Sequence, residues 1–128
     1  MKRFNTKDGY GIVKAQQLGL KVGIITGRVS KIVQKRAEEL GITEVHQNQD
    51  DKAESYRQIK ERLKLGDEEI AYIGDDEPDI PVLQRAGFSA APSDAAACAL
   101  REVDYVCRHK GGKGAVREII DLILDVQS

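Results

Sequence analysis

Short apolar runs alternate along this chain with longer stretches in which apolar residues recur every three or four positions. Residues 22–26 and 70–73 have the length and continuous apolar character of buried strands, and residues 44–47, 88–91 and 105–107 read as shorter ones. The intervening stretches predict helices. One runs from a cap at Asp8-Gly9 to about Leu18 and stops at Gly19. A second starts at Ser30, carries Ile32, Val33, Ala37 and Leu40 on one face, and ends at Gly41. A third spans residues 51–65 with Tyr56, Ile59 and Leu63 at helical spacing. A fourth has Pro78 near its first turn and Val82 and Leu83 inside, and an alanine-rich fifth covers residues 94–100. The last, from Gly114, carries the stripe Val116, Ile119, Ile120, Ile123 and Leu124. Strands and helices in alternation predict an α/β domain with a parallel sheet, whose ligands collect at the carboxyl ends of the strands. Thr26, the loop over residues 47–52 and the loop over residues 74–79 all fall at such ends.

Length and composition narrow the picture. A chain of 128 residues is expected to form one domain spanning residues 1–128. Its 41% hydrophobic and 32% charged content is that of an ordinary globular protein. A net charge of −1 argues against nucleic acid or an anionic membrane as partner. No apolar run approaches the roughly 20 residues that span a bilayer, and Met1-Lys2-Arg3-Phe4-Asn5 lacks the apolar stretch of a secretory signal. Cys98 and Cys107 form no disulfide or zinc pattern, which makes a reducing, cytoplasmic setting the default expectation.

The densest chemistry lies in Gly74-Asp75-Asp76-Glu77-Pro78-Asp79. Three aspartates directly after a buried strand concentrate negative charge that costs several kcal/mol unless a cation or proton offsets it. A hard ion such as Mg2+, bound through oxygens, is the natural partner, with an acidic solvent loop as the alternative. Thr26-Gly27-Arg28 reads either as an anion cradle or as a strand-to-helix turn with a threonine cap. Lys52 reads as a phosphate ligand or as a solvated lysine at a helix start, where the macrodipole gives it no welcome. Asp8 alone is a helix cap. Gly111-Gly112-Lys113-Gly114 is an anion-binding turn or a tight connection, His46 and His109 are isolated, and Cys107 is a small buried hydrophobe.

The order of these pieces resembles the haloacid dehalogenase-like phosphatases, and within them the small capless branch that hydrolyses 3-deoxy-D-manno-octulosonate 8-phosphate. The match is carried by Phe4 to Gly11, Ile24-Ile25-Thr26-Gly27-Arg28, Gln47-Asn48 with Lys52, Tyr72-Ile73-Gly74-Asp75-Asp76 with Asp79, and Gly111-Gly112-Lys113-Gly114-Ala115-Val116-Arg117-Glu118. The resemblance implies a Rossmann-like parallel sheet flanked by helices, without a cap domain. It implies a Mg2+-dependent phosphomonoesterase of lipopolysaccharide sugar synthesis, acting on a small sugar phosphate as a homotetramer. Asp75 and Asp76 would then serve the metal, and Asp79 would stand behind them holding the lysine. Thr26, Gly27 and Lys52 would take the phosphate, Arg28 and Asp8 the substrate side, and Lys52 and Asp76 would share in the chemistry.

One departure from that family matters. Its first motif is a strand ending in Asp-x-Asp, which supplies the nucleophile and the acid/base, and no Asp-x-Asp occurs in these 128 residues. The expectation is an N-terminally incomplete domain with the first strand missing and little or no turnover. The strands at residues 22–26 and 70–73 must then pair directly or leave a slot between them. Two alternatives are a phosphatase for a nine-carbon acid-sugar 9-phosphate and a non-catalytic, phosphatase-like oligomerisation domain. A receiver-like signalling domain fits the Thr26 and Lys52 positions but not an acidic loop so late in the chain.

Overall fold

The computed structural model describes residues 6–27, 29–49 and 51–127, and the side chains of residues 6–8 and 127 lie outside that description. Thirteen elements follow one another: α1 (Thr6–Gln17), β1 (Gly23–Ile25), α2 (Lys31–Glu39), β2 (Glu44–His46), α3 (Lys52–Leu63), a 3-10 turn (Asp67–Glu69), β3 (Ala71–Ile73), a second 3-10 turn (Glu77–Asp79), α4 (Ile80–Leu83), β4 (Phe88–Ala91), α5 (Ala97–Leu100), β5 (Tyr105–Val106) and α6 (Ala115–Gln127). Every ladder is parallel.

The sheet is divided. Among the described residues β1 pairs only with β2, and β3, β4 and β5 form a separate three-stranded sheet. Of the two outcomes open to the strands at residues 22–26 and 70–73, the chain takes the second: they do not pair. α3 leaves the end of β2, touches β1, and reaches α4 and the 3-10 turn after β3. β1 therefore lies between β2 and the second sheet. Stepping outward from β1 to β2 and back across to β3 through right-handed connections puts α2 and α3 on opposite faces.

α6 spans the division. Its Ile120, with Val116 and Leu124, packs into a core made by Ile12 and Ala15 of α1, Ala37 of α2, Leu40, Ile42, Val22, Ile24 and Val45. The neighbouring row, Ala115, Ile119 and Ile123, packs into a second core with Ala90, Cys107, Ile73, Phe88 and Tyr105. Two adjacent i, i+4 rows of one helix thus serve the two half-sheets. Each fully buried Ile on that helix contributes about 1.5–3 kcal/mol.

Local chemistry sets the element ends. Ser30 caps α2 by accepting from the Val33 N–H at 3.2 Å, and Gly41 leaves it at φ +75. Asp51 caps α3 through the Glu54 N–H, and Lys64 ends it in the left-handed region without a glycine. Two expected helices come out shorter. Of residues 94–100 only Ala97–Leu100 is helical, because the Asp94 carboxylate turns outward to accept the Gly111 N–H at 2.8 Å. The segment after β3 begins as a 3-10 turn over Glu77–Asp79, which Asp76 and Pro78 start. His109 is not isolated: its Nδ1 lies 2.7 Å from Glu118 Oε1.

Glu118 ties α6 to the end of β5. Its carboxylate accepts from the Tyr105 hydroxyl at 2.6 Å, the Arg108 N–H at 2.9 Å and the His109 N–H at 3.1 Å. Burial by itself would raise its pKa; the Tyr105, His109 and backbone donors outweigh that and bring it down to about 2, against 4.5 for a free glutamate. The folded chain then holds fewer protons than the unfolded one between those values. Glu118's stabilisation is whole above about pH 4.5 and disappears as the pH falls to about 2. Glu118→Gln is expected to cost about 1–3 kcal/mol at pH 7 in urea unfolding. The gap between variant and parent should narrow below about pH 4.5 and close only near pH 2; a gap that persists there would assign Glu118 a packing role alone.

Candidate functional site

The site is built on one carboxylate. Asp79 is 2% exposed, and four donors converge on it: the Lys52 ammonium at 2.8 Å and the Tyr72 hydroxyl at 2.6 Å on Oδ1, and the backbone N–H groups of Asp75 at 2.9 Å and Asp76 at 3.2 Å on Oδ2. Gly74 makes this possible, since a Cβ there would lie 2.5 Å from the Asp79 Cβ. Burial pushes the Asp79 carboxyl up, but Lys52, Tyr72 and the Asp75 amide prevail and hold it below the ordinary value. The same burial, with the Asp79 charge alongside, drives the Tyr72 phenol upward, so it stays a donor.

Lys52 is therefore not a solvated lysine. It is the first residue of α3, 9% exposed, and spends a buried charge on a partner from the other half of the molecule. Lys52 follows β2, whereas Tyr72, Asp75 and Asp79 belong to β3 and the loop after it, so the pair brings the carboxyl ends of both half-sheets together. Thr26 is joined to the same region through Gln49. The Thr26 carbonyl accepts the Gln49 N–H at 3.1 Å, and the Gln49 side chain accepts the Ser55 hydroxyl at 2.9 Å, one turn beyond Lys52. Gly27 lies beside the Gln49 carbonyl.

The two acidic residues after β3 differ. Asp75 is half-buried, and its backbone is fully engaged, with N–H to Asp79 and C=O to the Ala96 N–H at 2.8 Å. Its carboxylate has no hydrogen-bond or ion-pair partner among the described residues, which suits an oxygen ligand awaiting a cation. Asp76 is exposed and accepts the Glu77 N–H at 2.7 Å, so one of its oxygens already caps the 3-10 turn. An open cleft of about 450 Å³ beside them is lined by Asp51, Lys52, Asp76, Glu77, Pro78 and Pro81. Its rim is acidic around one ammonium, a balance that favours an anion only together with a cation.

No group of three or more metal-binding side chains occurs among the described residues. Asp75 and Asp76 fit Mg2+ as part of a set, because that ion keeps most of its positions for water and substrate oxygens. Arg28 and the Asp8 side chain lie outside the described residues. No pattern in the sequence points to Gln49 or Ser55, whose hydrogen bond ties the loop after β2 to α3. Tyr72 was read as a strand residue within the matched motif and given no role of its own; its hydroxyl acts through Asp79.

The profile of the haloacid dehalogenase-like hydrolases matches residues 11–87. The chain belongs to that family. It is 44% identical over 127 residues to the 3-deoxy-D-manno-octulosonate 8-phosphate phosphatase KdsC of Escherichia coli K12, covering 99% of the chain and 68% of the relative. The crystal structure of the Yersinia pestis 3-deoxy-D-manno-octulosonate 8-phosphate phosphatase superposes with a TM-score of 0.96 at 46% identity, over 99% of this chain and 69% of that one. The Moraxella catarrhalis phosphatase of the same name, solved with magnesium, phosphate and KDO, gives 0.94 at 39% identity over 98% and 72%. The α/β fold read from the alternating pattern, and the haloacid dehalogenase type that the resemblance implies, are thus the fold observed.

Breaking the buried pair should be costly. Lys52→Met leaves the Asp79 charge buried and is expected to destabilise the chain by about 3–5 kcal/mol in urea unfolding at pH 7. Adding Asp79→Leu should recover part of that loss. Strictly additive single and double variants would show that the two residues are not coupled.

Proposed function

We propose that this chain is a phosphatase domain for 3-deoxy-D-manno-octulosonate 8-phosphate, in lipopolysaccharide sugar synthesis, and that these 128 residues alone bind the phosphate better than they hydrolyse it. The observation that carries the reading is the identity to KdsC phosphatases along 99% of the chain. The cross-sheet pairing of Lys52 and Asp79 supports it, since it fixes an ammonium where strand ends gather.

In this reading the phosphoryl group sits at the carboxyl ends of β1 and β3. The Thr26 hydroxyl and the Gly27 N–H donate to its oxygens, and the Lys52 ammonium offsets their charge. Asp79 holds the Lys52 ammonium in place, so the lysine serves as a positioned positive charge. Asp75, with Asp76, would hold Mg2+, which supplies further neutralisation of the phosphate oxygens. Transfer through a covalent aspartyl phosphate needs a carboxylate nucleophile with an acid beside it. The chain has no Asp-x-Asp to provide them, and Asp75 cannot be ligand and nucleophile at once. Among the sugar-phosphate readings, the octulosonate is favoured over a nine-carbon acid sugar because relatives at 42–46% identity bear its name.

Two measurements on the 128-residue chain test this. Phosphate release from 3-deoxy-D-manno-octulosonate 8-phosphate with Mg2+ should stay near the buffer rate. Calorimetric titration with inorganic phosphate should show Mg2+-dependent binding, weakened at least about tenfold by Lys52→Ala, the loss of one charge-assisted contact. Robust turnover abolished by Asp75→Ala would overturn the inactivity, and phosphate binding indifferent to Lys52 and Mg2+ would overturn the site.

A further inference from the structure

The phosphate-binding and metal-binding groups of the proposed site come from different halves of the molecule. Thr26 and Gly27 follow β1 and Lys52 follows β2, whereas Asp75 and Asp76 follow β3. Within the first half, the two kinds of phosphate contact sit on separate strand ends, so their spacing has to be set by something between them. The loop after β2 does this. The Gln49 N–H donates to the Thr26 carbonyl at 3.1 Å, and the Gln47 Oε1 accepts the Ser30 N–H at 2.6 Å. One loop thus grips the turn after β1 where it starts and again where it enters α2.

The grip is itself braced by the Gln49 side chain. Its Nε2 donates to the Gln47 carbonyl at 2.7 Å, and its Oε1 accepts the Ser55 hydroxyl at 2.9 Å. Ser55 is fully buried on α3, one turn beyond Lys52. Between the two glutamines Asn48 takes the left-handed conformation, at φ 56, which asparagine adopts more readily than most residues. Fixing a long glutamine side chain costs rotamer entropy, and Gln49 offsets it by bonding through both ends of its amide. The half-buried Gln49 therefore joins three things: the backbone of the Thr26 turn, its own loop, and the helix that carries Lys52.

We propose that Gln49 is a positioning residue for phosphate, anchored on Ser55, which sets the distance between the Thr26 turn and the Lys52 ammonium without touching the ligand. The inference rests on the phosphate site proposed above and names what holds it in register. Hydrogen bonds weaken steeply with distance and angle, so a loosened loop costs affinity even with every phosphate ligand still present. The Asp75 carboxylate is set by other contacts, from its N–H to Asp79 and from the Ala96 N–H to its carbonyl. Loss of the Gln49 brace should therefore weaken phosphate binding and leave metal binding alone, a separation that a general structural role does not produce.

The test compares the 128-residue chain with Gln49→Met and Ser55→Ala. Inorganic phosphate is titrated calorimetrically at saturating Mg2+, Mn2+ is titrated without phosphate by the electron paramagnetic resonance of the free ion, and amide exchange is followed at Gln49. Each variant should bind phosphate about five- to tenfold more weakly, the scale of one lost hydrogen bond. Mn2+ affinity should stay within about twofold, and the Gln49 amide should exchange at least about tenfold faster as its contact to Thr26 opens. The double variant should bind phosphate no more weakly than Gln49→Met, because the two residues form one contact. Equal losses of phosphate and Mn2+ affinity would overturn the proposal in favour of general destabilisation, and so would losses that simply add in the double variant. A parent that binds phosphate, with variants that bind it equally well, overturns this inference alone. A parent that binds no phosphate overturns the site beneath it as well.

Discussion

The Asp79 carboxylate is the point on which the molecule turns. A single buried anion, held by a lysine from one half and by a phenol and two backbone amides from the other, fixes how the half-sheets stand relative to one another. Burying a charge is unfavourable by itself, and the cost is met here only because every lone-pair direction finds a donor. Such a contact weakens steeply with distance, so it positions the Asp75 loop against the start of α3. The open Asp75 carboxylate and the acidic cleft are consequences of that positioning.

A second constraint is topological. Parallel strands covered by helices normally sit in one continuous sheet, where each inner strand is bonded on both sides. Here α6 supplies the continuity that the hydrogen bonds do not, with Ile120 in one core and Ile119 in the other. The structure keeps a frame with its middle open, and the chemistry of the site inherits this division. Lys52 from one half meets Asp79, Tyr72 and the Asp75 and Asp76 amides from the other.

Much of this was legible before any coordinates. Strand and helix positions followed from runs and periodicities, and the α/β pattern put Thr26, Lys52 and Asp75 at or just beyond strand ends. The Asp94 segment misled, because alanine content predicts helix while a side-chain contact to Gly111 decides otherwise. His109 looked solitary because its partner Glu118 lies nine residues on, across a glycine-rich turn that periodicity does not reach. Gln49 and Ser55 were invisible for a related reason: a polar contact between a loop and a helix leaves no repeating signal. The gap itself was foreseeable only as one of two outcomes, since pairing across it depends on how far α3 and α6 hold the edges apart.

The central claim, that three distant turns gather around one cation and its anion, is tested most directly by a crystal structure of the chain grown with Mn2+ and phosphate. Anomalous scattering should place the metal on the Asp75 carboxylate, with phosphate oxygens in hydrogen-bond reach of both Thr26 and Lys52 and with Lys52 still bonded to Asp79. Metal confined to the exposed rim at Asp76 and Glu77, or phosphate bound away from Lys52, would contradict it.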